Sequence, residues 1–176
     1  MDYLTFFLDF LKLTFAGLTV FFVAWFFIRE HLSNSNRREL LEVKKEQLKQ
    51  TLPLQLQAYE RIVIFIERIN PANILIRLHV PGTTARELQN QVLADIRAEY
   101  QHNITQQIYL SDQAWQVVKR LKEDTISLIK NGADGLPPET SSVELSKAIL
   151  THLSKLEVNP YDAGIGLVKN ELQRFF

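Results

Sequence analysis

The sequence contains no cysteine, and glycine and proline are scarce, with six of each among 176 residues. Without thiols the chain cannot form disulfides, thiolate metal sites or a cysteine nucleophile. Excess positive charge is also missing, because 20 lysines and arginines face 20 aspartates and glutamates. A nucleic-acid-binding protein needs such an excess to displace counterions from phosphates, so we expect no nucleic-acid partner.

Sequence motifs of common enzymes are absent as well. The chain has no Gly-x-Ser-x-Gly elbow and no glycine-rich phosphate loop with Gly-Lys-Ser/Thr. No segment alternates apolar and polar residues between turn signals, as a β-strand would. These absences favour an all-α, non-enzymatic protein without a cofactor.

Aromatic residues are concentrated at the N-terminus, where the first 28 residues hold eight of the eleven phenylalanines. Residues 13–28 carry no charge. A helix needs about 20 apolar residues to cross a bilayer, and the extension back to Phe10 passes only Lys12, whose long side chain reaches the interface. We therefore predict a transmembrane anchor that contacts the lipid bilayer through residues 10–28. Two alternatives stay open, a cleaved secretory signal, for which the basic start is missing, and a buried helix of a soluble domain.

The charges that flank this run predict its orientation. One lysine precedes the run, whereas the following segment contains six basic residues: Arg29, Arg37, Arg38, Lys44, Lys45 and Lys49. Positive flanks stay in the cytoplasm, so we expect the N-terminus outside and the remainder of the chain in the cytoplasm. A further interpretation of these residues is that they bind anionic lipid headgroups, and the alternative is an ordinary solvated helix face.

Capping and breaking signals divide the rest of the chain into helices. Four helix starts are predicted by cap residues: Thr84 with Glu87, Ser111, Ser141 with Glu144, and Asn159 before Pro160. We predict a break at 33–36, an end or a kink of the helix at Pro53, a helix over 54–69, a turn at 72–78, a helix from 84 to about 110 and a flexible loop over 132–141. The resulting parts are an anchor at 1–30, a juxtamembrane helix at 31–52 and a helical-bundle domain at 53–176.

The predicted helix over 54–69 carries the first candidate site. Four charged residues share one of its faces with Ile64: Glu60, Arg61, Glu67 and Arg68. An isoleucine among four charges indicates that this face is covered, either by an unknown protein partner or by self-association. The alternative is a helix in the middle of a bundle, with its charges paired at the rim.

The second candidate site lies in the following predicted helix. Glu99 and His102 form one Glu-x-x-His step, which di-iron helical bundles use in pairs. Because the chain has only one such step, a metal- or small-ligand-binding enzyme is the alternative function. Four neighbouring polar side chains predict a hydrogen-bond network that sets helix register, with a solvated face or a ligand pocket as alternatives: His102, Asn103, Gln106 and Gln107.

Three segments resemble an uncharacterised family of small, single-pass membrane proteins from Bacteroidota. They are LPLQLQAYER at 52–61, ERINP at 67–71 and EYQHNITQQIY at 99–109, and the resemblance extends over roughly residues 1–130. It implies a bacterial source and a place in the inner membrane, and it implies no activity. The favoured function is therefore a membrane-anchored helical interaction or scaffold module.

Overall fold

The structure is a computed structural model that describes residues 3–137 and 139–173, and the side chains of residues 5 and 30–40 are not among those described. Within these ranges it has six α-helices, one 3₁₀ helix and no strand, which confirms the predicted all-α class. The elements are α1 (Tyr3–Ile69), α2 (Pro71–Arg77), α3 (Ala85–Asn103), the 3₁₀ helix (Ile104–Ile108), α4 (Asp112–Asp134), α5 (Ser142–Ser154) and α6 (Pro160–Leu172). The chain divides into two compact units, Met1–Thr51 and Leu52–Phe176.

Among the residues of the first unit that the structure describes, one helical segment is long and apolar enough to cross a membrane, Phe6–Arg29. None of the residues in its most apolar stretch is buried. The predicted break at 33–36 is wrong, because α1 continues through these residues. Serine and asparagine cost a helix only about 0.5 kcal/mol each, so four of them without glycine or proline do not end it.

Pro53 lies inside α1, so the helix does not end there, which is one of the two outcomes predicted for this residue. Its ring holds φ near the helical value, and the amide that would bond to the carbonyl of Lys49 is the one hydrogen bond lost. Both residues are exposed. Water can therefore bond to that carbonyl, and the helix tolerates the proline.

A hydrophobic core holds the second unit together and takes residues from one face of each helix. The end of α1 contributes Ala58, Tyr59, Ile62, Phe65, Ile66 and Ile69. The other helices contribute Ile74, Leu88, Val92, Ile96, Trp115, Val118, Leu121, Ile129, Leu145, Ile149, Tyr161 and Val168, among others. Burial of each large apolar side chain contributes about 1.5–3 kcal/mol. This packing fixes which face of α1 points away from the core.

All four predicted caps begin helices of the second unit. Thr84 accepts a hydrogen bond from the amide of Glu87, whose carboxylate accepts one from the Thr84 amide, so the capping box is complete. Ser111, Ser141 and Asn159 each accept a bond from an amide in the first turn of α4, α5 and α6. The orphan amides at these helix starts are thereby satisfied.

Three predicted boundaries are wrong. A helix, α2, forms where a turn is predicted at 72–78, because Asn70 caps it and Pro71 occupies its first position. The helix that starts after Thr84 ends at Asn103 and continues as a 3₁₀ helix to Ile108. The loop before α5 begins at Gly135, since α4 extends to Asp134.

Candidate functional site

The charged face predicted on α1 is exposed in the second unit, and an isoleucine lies at its centre. Ile64 is 56% exposed, although its chain neighbour Phe65 is fully buried. At about 100° per residue, the two glutamates lie on one side of Ile64 and the two arginines on the other. We call the five residues the Ile64 face: Glu60, Arg61, Ile64, Glu67 and Arg68.

The two arginines lie on the side of the Ile64 face next to α3. Arg68 Nη2 is 2.7 Å from Glu99 Oε1. Arg61 Nη2 is 3.2 Å from His102 Nε2. A small cavity of about 200 Å³ lies between them and is lined by Arg61, Ile64, Arg68, Glu99, His102 and Asn103. This flank of the face is basic, and its charges are partly neutralised by Glu99.

The two glutamates lie on the opposite side of Ile64. Glu60 borders a mostly apolar groove of about 400 Å³ against α6, and the groove is lined by Tyr59, Glu60, Val63, Ile64, Val168, Lys169 and Leu172. The carboxylate of Glu67 accepts a hydrogen bond from the side-chain amide of Asn73 at 3.1 Å. Glu60 makes no ion pair with any residue that the structure describes. The acidic flank is therefore less neutralised than the basic flank.

The four residues of the predicted polar network are not connected to one another in the described part of the chain. Asn103 donates to the carbonyl of Glu99 at 2.9 Å within α3, and His102 contacts Arg61. Gln106 and Gln107 belong to the 3₁₀ helix, and neither side chain forms a hydrogen bond with a described residue. Because a 3₁₀ helix has three residues per turn, Gln106 and Gln107 point in other directions than they would in a continued α-helix.

Glu99 and His102, the residues of the metal-binding alternative, are each contacted by an arginine. Arg68 holds Glu99, and Arg61 holds His102. Among the described residues, no three potential metal ligands of the His, Cys, Asp or Glu types come together. Two guanidinium groups at this position repel a cation, so the geometry does not favour a metal there.

The structure describes the side chains of some of the basic residues after the predicted anchor and not of others. The side chains of Arg37 and Arg38 lie outside the described residues. Lys44 and Lys45 are exposed, and Lys49 pairs with Glu46 at 3.2 Å. Lipid binding by these residues stays a prediction.

A buried carboxylate that the sequence analysis missed links three helices of the second unit. Glu171 of α6 is 8% exposed, and its Oε2 accepts hydrogen bonds from the hydroxyls of Ser111 and, at 3.4 Å, Tyr59. Burial raises the pKa of Tyr59. The cap at Ser111 is visible in the sequence, but the approach of α6 to it depends on tertiary packing.

The comparisons with known proteins place the chain in one family. Residues 5–175 match a family of unknown function, DUF7935. Searches of curated proteins and of solved structures found no match. Because the match covers nearly the whole sequence, the chain belongs to the DUF7935 family. This agrees with the predicted membership of an uncharacterised family.

Proposed function

We propose that this DUF7935 protein is a single-pass membrane protein whose second unit is a non-enzymatic interaction module. The observation that supports the proposal is the 24-residue apolar helix Phe6–Arg29, in which no residue of the most apolar stretch is buried. Apolar surface costs about 25 cal/mol per Å² when it stays in water. A lipid bilayer removes this cost, whereas the core helix of a soluble protein would be covered by its own chain.

Polar groups inside Phe6–Arg29 are arranged as a lipid environment requires. Thr14 donates to the carbonyls of Phe10 and Leu11, at 3.1 and 2.9 Å. Thr19 donates in the same way to the carbonyls of Phe15 and Ala16. In hydrocarbon every polar group needs an internal partner, and these hydroxyls have one within their own helix.

The anchor orientation follows from charge, and the membrane type from the family resemblance. Lys12 pairs with Asp9 at 3.1 Å, which neutralises the basic residue before the run. The excess of lysine and arginine after Ile28 supports a cytoplasmic second unit. We therefore place the protein in a bacterial inner membrane, with its N-terminus outside.

The Ile64 face supports the interaction role. A half-exposed isoleucine beside an apolar groove is a surface that a protein partner would cover, and the charges around it would orient that partner. No constellation of a nucleophile, base or metal site supports an enzyme within the described residues. We propose that the membrane holds the module where it meets its partner.

Fractionation of cells that express the full chain tests the anchor. We expect the intact protein in the membrane pellet after ultracentrifugation, and resistant to extraction by alkaline carbonate. The double variant Leu18→Arg, Phe22→Arg adds two charges at the centre of the span, each costing insertion about 3 kcal/mol, and should leave the membrane fraction.

The matched control is Leu41→Arg, Leu48→Arg, which changes two exposed residues outside the span and should stay in the pellet. An intact wild-type chain in the supernatant would contradict the proposal. A mature protein that lacks the first ~28 residues by mass spectrometry would identify a cleaved signal instead.

A further inference from the structure

We propose that the partner of the Ile64 face is a second copy of this chain, bound in a parallel pair about a two-fold axis that passes beside Ile64. The inference rests on the proposed interaction role and names its partner. It follows from the exposed isoleucine, the neighbouring groove and the order of the four charges.

Ile64 and the groove beside it supply the apolar part of such a contact. The side chain is 56% exposed, and the groove formed with Val63, Val168 and Leu172 borders it directly. In a two-fold pair the same patch occurs on both copies. Each Ile64 then packs against the partner's Ile64 at the edge of the partner's groove, and both isoleucines leave water.

The charges select the parallel arrangement. Glu60 lines the groove against α6, and helix spacing places Glu67 on the same side of Ile64. Arg61 and Arg68 lie on the α3 side. A two-fold axis parallel to α1 exchanges the two sides, so the acidic flank of one copy faces the basic flank of the other. Glu60 comes opposite the partner's Arg61, and Glu67 comes opposite the partner's Arg68. An antiparallel pair would place like charges opposite one another, which is unfavourable.

The contacts within the chain leave these charges available. Arg68 uses one terminal nitrogen to bind Glu99 and stays 46% exposed, and a guanidinium group has five N–H donors. Glu60 has no ion-pair partner in the described part of the chain. Two copies held in one membrane are also at high effective concentration, which lowers the cost of pairing.

Disulfide crosslinking in native membranes tests the pairing. The chain has no cysteine, so Ile64→Cys introduces a single thiol, and a residue beside the two-fold axis lies opposite its own copy. We expect a disulfide-linked dimer after mild oxidation. The control Ile108→Cys changes an isoleucine of the same unit that is 75% exposed on the 3₁₀ helix and does not line the groove beside Ile64, and it should stay monomeric. Equal crosslinking of both variants, or none at Ile64→Cys, would overturn the proposal.

Charge reversal separates the parallel pair from other arrangements. Glu60→Arg and Arg61→Glu each place like charges together twice per dimer, and we expect the dimer dissociation constant of the full chain in nanodiscs or detergent to rise roughly tenfold. The double variant Glu60→Arg, Arg61→Glu exchanges the charges and should restore pairing. An antiparallel pair predicts that Glu60→Arg strengthens association, and this result, or failure of the double variant to recover, would contradict us.

The two proposals fail separately. If the protein is membrane-bound but Ile64→Cys does not crosslink, the anchor proposal stands and the self-pairing proposal fails. If the protein is in the soluble fraction but still crosslinks through Ile64→Cys, the anchor proposal fails and the self-pairing proposal stands. Circular dichroism of each variant checks that helix content is unchanged, as expected for substitutions at exposed or half-buried positions.

Discussion

At the scale of single residues, Ser111 has two functions at the start of α4. Its hydroxyl oxygen accepts a bond from the Ala114 amide at 3.0 Å, and the hydroxyl donates to the buried carboxylate of Glu171. A cap alone contributes about 1 kcal/mol, and a hydrogen bond to a charged group contributes about 1.5–3 kcal/mol. The contact therefore joins the start of α4 to α6 more strongly than an ordinary cap would.

Replacement of Ser111 should cost more stability than replacement of another cap serine. We expect Ser111→Ala to lower the free energy of unfolding by about 2–3 kcal/mol, because the cap is lost and Glu171 loses a donor while it stays buried. Ser141→Ala removes an exposed cap that bonds to the Glu144 amide and should cost about 1 kcal/mol. Urea unfolding of the full chain in mild detergent measures both, and equal losses would show that the Glu171 contact adds nothing.

Tyr161 makes stability depend on alkaline pH. Burial raises its pKa from 10.0 to about 12, and its hydroxyl lies 2.7 Å from that of Thr125. Below pH 10 the tyrosine is protonated in both states and its contribution is complete. Above that pH the unfolded state loses the proton first, so the free energy of unfolding falls by about 2–3 kcal/mol until the folded residue also ionises.

The variant Tyr161→Phe tests this linkage. We expect a flatter pH dependence of the free energy of unfolding above pH 10, together with a loss of about 1 kcal/mol at neutral pH for the missing hydrogen bond. Tyr59, whose pKa is also raised by burial, leaves part of the slope in place. An unchanged alkaline slope in Tyr161→Phe would show that Tyr161 ionises normally in the folded protein.

At the scale of helices, α6 approaches α4 closely at one glycine. A Cβ atom on Gly164 would lie 2.6 Å from Leu121 Cδ1 and 3.4 Å from Val117 Cγ1, whereas one on Gly166 would meet nothing within 4 Å. Alanine favours a helix over glycine by about 1 kcal/mol. We expect Gly166→Ala to raise the melting temperature. Gly164→Ala should lower it, with a loss of about 1–3 kcal/mol in the free energy of unfolding, because Leu121 is buried and must move. A stabilising Gly164→Ala would mean that the two helices separate readily.

Local signals predict helix starts well, and tertiary packing explains what they miss. Thr84 and Asn159 begin helices because each satisfies an orphan amide with its own side chain, which needs no other element. The signal at Asn70 and Pro71 is of the same kind, and it begins α2 where a turn is predicted. Glu171 reads as an ordinary charged residue in a terminal helix. It is buried because α6 packs against Ser111 and Tyr59.

The same limit applies to the candidate sites. The sequence predicts the five residues of the Ile64 face together, because helix periodicity places them on one side of α1 however that helix packs. The network predicted at 102–107 assumes α-helical spacing through Gln107, whereas the chain changes to a 3₁₀ helix after Asn103. Arg61 and Arg68 contact His102 and Glu99 across two helices, a pairing that no spacing rule within one helix could supply.

At the scale of the whole molecule, the apolar segment of the first unit differs from the second unit in surface chemistry. The segment Phe6–Arg29 exposes large apolar side chains along its length, whereas the second unit has a hydrophobic core of its own. In the proposed arrangement lipid would cover Phe6–Arg29 and water would surround the second unit. The proposed self-pairing then belongs to the aqueous side, where salt screens its rim charges.

The side of the membrane on which each unit lies can be measured because the chain has no natural thiol. Tyr3→Cys and Ser127→Cys place single thiols at exposed positions of the first and second units. We expect a membrane-impermeant maleimide to label Tyr3→Cys in intact cells, with an opened outer membrane where one is present, and to label Ser127→Cys only after lysis. The reason is that the basic residues after Ile28 resist transfer across the membrane, whereas the short segment before the run carries one lysine paired with Asp9. Labelling of both thiols after lysis is the control for reactivity. Labelling of Ser127→Cys in intact cells would show that the second unit lies outside the cytoplasm, contrary to the prediction.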